Sequence, residues 1–118
     1  MSKIKVIVKE PYQEARVEEI EYNIGKLQET VRGILNYIPF PSLEEDVDLI
    51  INDDSRVFDT FDKNILAPNH ENGFIAGVIV ACSFDKTGKA KNLSDGQIEK
   101  IKAFLEENHI EQKQVAEM

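Results

Sequence analysis

The chain has 118 residues, with 22 acidic against 14 basic side chains and a formal net charge of −8. That length predicts one domain, large enough to bury a core without a disulfide or a metal. Its acidity repels phosphate backbones and argues against ordinary DNA or RNA binding.

No apolar run approaches the ~18 residues of a membrane span, and the alternating N-terminus does not read as a signal peptide. Cys82 is the single cysteine. It can form no intramolecular disulfide and reads as a small buried hydrophobe, so a reducing, cytoplasmic setting is expected.

In chain order, KIKVIVK (3–9) alternates Ile4, Val6 and Val8 with lysines, and Ile7 breaks the polar side. Period-two alternation of β-branched residues predicts a half-buried strand. A turn at Pro11 leads to a second strand over 15–22, paired as a hairpin.

The period then lengthens. Asn23 is a good N-cap, and Leu27, Val31, Ile34 and Leu35 follow at helical spacing. Gly33 is a candidate early end, and Pro39 and Pro41 forbid continuation. After a turn-rich connection with a short strand near Ile38, VDLIIN (47–52) predicts another strand.

Residues 56–72 are irregular, with at most a brief strand. Phe74–Phe84 predicts one eleven-residue strand, apolar on both faces and therefore central. Gly77 within it signals a bulge or a close backbone approach.

Ser94 and Gln97 spell a capping box. Ile98, Ile101, Phe104 and Leu105 form the stripe of the helix that follows, and 109–118 are expected to fray. The predicted architecture is α+β, a single domain over 1–108. A mostly antiparallel sheet, in the order strand, strand, helix, strand, minor strand, strand, helix, carries two amphipathic helices on one face.

Asp85-Lys86-Thr87-Gly88 resembles the phosphorylation loop of P-type ATPases. The same letters suit a tight turn, with Asp first and Gly at positive φ, and the turn is the reading favoured here. No P-loop, dinucleotide fingerprint or nucleophile elbow is present. His70 and His109 stand apart without metal-ligand spacing, so neither a catalytic constellation nor a cofactor is expected.

Two regions are candidates for binding. Eight acids and one base lie between Glu44 and Asp62. Within that stretch Asp53, Asp54, Phe58, Asp59, Phe61 and Asp62 would form an acidic surface with aromatic anchors. Asn52, Asn64 and His70 are the candidate pocket.

VIVKEP, LQETVRGIL, DLIIND, DKN, GFIAGVIVACSFDKTG and LSDGQIEKIKAFL, in that order and spacing, resemble domain of unknown function 3846 over residues 3–108. That resemblance implies an α+β fold and an origin in phages, plasmids or other mobile elements of Gram-positive bacteria. It implies no activity.

Asn52, Asn64, Gly73 and Gly77 match recurring positions of that family. Pro11-Tyr12 departs from its Pro-Gly, and Gly33-Ile34-Leu35-Asn36 from its Gly-Tyr-Ile-Glu. The expected function is that of an accessory protein binding a host protein. A DNA mimic and a small-molecule or nucleotide binder are the alternatives.

Overall fold

The computed structural model describes residues 3–40, 46–52, 62–67 and 73–111. In chain order the elements are β1 (Lys3–Lys9), β2 (Arg16–Glu21), α1 (Ile24–Val31), β3 (Leu35–Pro39), β4 (Val47–Asn52), β5 (Lys63–Leu66), β6 (Phe74–Ala76), β7 (Ile79–Phe84), β8 (Ala90–Lys91) and α2 (Asp95–Glu107). The main sheet runs β2-β1-β7-β4-β3, with β8 also on β7, and β5-β6 form a separate ribbon. Every pairing is antiparallel.

The α+β expectation holds, but the helices lie on opposite faces of the sheet rather than on one. Leu27 and Val31 of α1 pack with Val6, Val8, Ile50, Val80 and Cys82. Ile101 and Leu105 of α2 pack with Ile7, Leu49, Ile51, Ile79 and Ala81, and Ile65 and Ile75 of the ribbon join them. The reason is the sheet's own composition. β4 and β7 carry apolar side chains at consecutive positions, and consecutive side chains point to opposite faces. Both faces therefore need a cover.

The predicted eleven-residue strand is two strands. Gly77 has φ +79, a conformation that side chains with a Cβ resist, and the chain turns there out of the ribbon and into the sheet. The Gly77 amide donates to Asp62 O, which anchors the corner.

α1 also ends sooner than its apolar spacing predicts. Arg32 caps it at φ 66, ψ 41, and a Cβ on Gly33 would lie 2.5 Å from Asn52 Nδ2. Ile34 is consequently exposed and Leu35 opens β3. Pro39 fits β3 because that strand is at the sheet's edge.

The caps form as their residues dictate. Asn23 Oδ1 accepts from the Lys26 amide at 2.7 Å. Ser94 Oγ accepts from the Gln97 amide, while Gln97 Oε1 accepts from the Ser94 amide. Beyond α2, Ile110 is 1% exposed, its amide donates to Asn64 O, and His109 bridges to Ile65. Order thus extends past residue 108; residues 112–118 of the expected frayed end lie outside the described residues.

Candidate functional site

β1 alternates faces, so Lys9 falls on the side of Ile7, beneath α2 and the ribbon. It is 1% exposed, an uncommon fate for lysine. Its Nζ donates to Asn64 Oδ1 at 2.6 Å. Asn64, fully buried on β5, uses Nδ2 to donate to Lys9 O at 2.9 Å and to Gly77 O at 2.7 Å.

Two carbonyl acceptors fix the amide's orientation, so its oxygen must face the amine. The arrangement sets a neutral acceptor, not a carboxylate, against a buried ammonium. Desolvation by burial accordingly lowers the Lys9 amine from 10.5 to about 8.

Lys9 lines a cleft of about 610 Å³, between the β1–β2 connection and the C-terminal end of α2. Tyr12 and Glu14 come from the connection, Lys102 and Glu106 from α2, and His109 and Glu111 from the segment after it. Burial lowers the His109 pKa, the positive Lys9 lowers it further, and Glu111 and Glu14 oppose both. Lys9 and His109 thus feel each other's charge across the cleft.

Tyr12 adopts φ +66. It holds there the left-handed backbone that favours glycine, despite its side chain. The Tyr12 phenol is raised above its ordinary pKa by desolvation first, then by the charge of Asp62 and a hydrogen bond to it.

Of the pocket read from the sequence, the two described residues sit in different hydrogen-bond networks. Asn64 is the buried clamp just described. Asn52 is committed to the end of α1, where its Nδ2 donates to Val31 O at 3.0 Å and to Arg32 O at 2.9 Å. His70 lies outside the described residues, as do Asp53, Asp54, Phe58, Asp59 and Phe61 of the acidic surface. Asp62 borders a smaller cleft of about 220 Å³ with Glu10, Gln13 and Arg32.

Two other acids of that stretch point to different faces. Asp46 accepts from Ser83 Oγ and Gln97 Nε2 and pairs with Lys91 at 3.0 Å, on the α2 side. Asp48 lies by Cys82 and Tyr22 on the α1 side, its own pKa raised by burial.

The DKTGK segment is the β7–β8 turn. Asp85 Oδ1 accepts from Thr87 N, Thr87 Oγ1 and Lys89 N at 2.8, 2.6 and 3.0 Å, and Gly88 has φ +86. Cys82 is buried, its thiol pushed up to about 12 by burial and then by Asp48. Among the described residues no group of His, Cys, Asp and Glu could hold a metal ion, and no helix is long and apolar enough to cross a membrane.

Neither Lys9 nor Tyr12 was marked by a motif. The available signal for Lys9 was Ile7: an apolar residue on the supposed polar side of β1 means that side is covered, and Lys9 shares it.

The family model described as Domain of unknown function (DUF3846) matches residues 4–106. No curated protein and no solved structure matches the chain. The chain therefore belongs to the DUF3846 family.

Proposed function

We propose that this DUF3846 protein binds a small polar molecule in the cleft beside Lys9. One observation carries the reading: Lys9 lines a cleft of ligand size, and the one hydrogen-bond acceptor of its buried amine among the described residues is Asn64 Oδ1. A buried polar group left short of partners is costly, and a ligand acceptor would supply the missing bond. The rim sets Lys102 against Glu14, Glu106 and Glu111, with His109 lowered toward its neutral form, so it repels an anion and suits a polar ligand without negative charge.

A thermal-shift screen of the full chain against sugars, nucleosides and amino acids tests this. A compound at a hundred times its Kd adds about 2.7 kcal/mol to stability and raises Tm by several degrees. Lys9→Met should abolish the shift. A shift that survives Lys9→Met, or none from any class, would count against the cleft.

The expectation of an accessory protein that captures a host protein for a phage or mobile element stays a separate proposal, supported by the family likeness and the acids between Glu44 and Asp62. The DNA-mimic alternative needs those acids in one stripe, and Asp46 and Asp48 on opposite faces weigh against it.

A further inference from the structure

We infer that Lys9 is a nucleophile that captures a small uncharged carbonyl compound, an aldehyde or ketone, as an imine. This deepens the ligand-binding reading and rests on it. Three features of the site converge. The side chain is 1% exposed, so water solvates an ammonium there poorly. Its one acceptor among the described residues is a neutral amide oxygen, which holds one N–H but, unlike a carboxylate, brings no opposite charge to keep the amine protonated. Lys9 also lines the cleft, and a neutral Nζ bonded to Asn64 keeps a second N–H and a lone pair.

The lowered pKa agrees with this geometry. With its amine at about 8 instead of 10.5, Lys9 is neutral near pH 7 roughly 300 times more often than an ordinary lysine. The charged and titratable groups around it are Tyr12, Glu14, Lys102, Glu106, His109 and Glu111.

The step balances with no further reactant. Nζ adds to the carbonyl carbon, the carbonyl oxygen takes up a proton, and the carbinolamine so formed loses that hydroxyl together with the nitrogen's proton as one water. His109 lines the same cleft, and the protons can pass through it or through water. Nothing is oxidised or reduced, and the imine reverts on hydrolysis.

The test is reductive trapping on the full chain near neutral pH, with limiting glyceraldehyde and sodium cyanoborohydride, followed by peptide mass mapping. Lys9 should carry the adduct at least roughly tenfold faster than Lys86 or Lys89 of the exposed β7–β8 turn, since each pKa unit is tenfold in neutral amine. That preference should vanish when the chain is labelled unfolded in urea. Labelling of Lys9 no faster than the turn lysines would overturn the inference.

A parallel melt with millimolar glyceraldehyde or glycerol, without reductant, separates the two readings. A shift from both with no Lys9 adduct leaves ligand binding standing and removes the imine. Selective trapping at Lys9 supports both.

Discussion

Lys9 sets the pH behaviour at the residue scale. Its folded pKa, about 8, lies below the ordinary 10.5, so between those values the unfolded chain binds more protons than the folded one. Stability contributed by this group therefore rises with pH across that window, and the full penalty applies below it. Two and a half pKa units correspond to about 3 kcal/mol.

Lys9→Met removes the dependence. The stability of wild type minus variant should climb by an amount of that order from pH 8 to above 10, measured by urea unfolding. The high pKa values of Cys82 and Tyr22 act in the opposite sense but equally in both proteins, so they cancel in the difference. A flat difference would mean that the amine is not desolvated.

Arg32 offers a second test at this scale. It holds φ 66 at the end of α1, where glycine is the usual residue. Arg32→Gly should raise stability by about 0.5–1 kcal/mol, the left-handed strain relieved less the entropy that glycine adds to the unfolded chain.

At the element scale, what could be read from the chain was whatever is written locally. The capping box at Ser94, the Asn23 cap, the alternation in β1 and the turn letters at Asp85 each act over a few residues, and each element forms where its letters say. What escaped reading depends on neighbours distant in sequence.

Phe74–Phe84 is apolar throughout, and nothing local reveals that its first three residues pair with β5 while the rest enter the main sheet. Gly77 marked the place without saying how far the chain would turn. The helical spacing of Ile34 and Leu35 is genuine but is overruled, because Asn52 reaches across from β4 to bond the carbonyls of Val31 and Arg32. The same distance effect hid the cleft. Lys9, Asn64 and His109 are brought together only by the docking of the ribbon and of the segment after α2.

Gly33 makes the coupling measurable. A methyl there would meet Asn52 Nδ2 at 2.5 Å and displace it from two carbonyls, so Gly33→Ala should cost about 1–3 kcal/mol. In an Asn52→Ala background the contact with Asn52 is gone and only the backbone strain at φ +158 remains, so the added cost of Gly33→Ala should fall below its value in the wild type. Equal costs in both backgrounds would show that the side chain of Asn52 does not set the helix boundary.

For the whole molecule, the governing feature is a sheet covered on both sides, with two apolar clusters that meet only through the strands between them. Leu27 belongs to one cluster and Ile101 to the other, and both are fully buried. Leu27→Ala should cost about 2–5 kcal/mol and Ile101→Val about 0.5–1.5 kcal/mol. Since the two side chains share no cluster, the double variant should lose their sum to within about 0.5 kcal/mol. Had both helices shared one face, as their amphipathic stripes alone suggested, the cavity left by one would be free to relax into the other and the sum would fail. Denaturant unfolding of the two single variants and the double variant decides it: a coupling above about 1 kcal/mol would mean that the clusters act as one core. Additivity would mean that the α2 face, which carries the Lys9 cleft, can change without disturbing the α1 face.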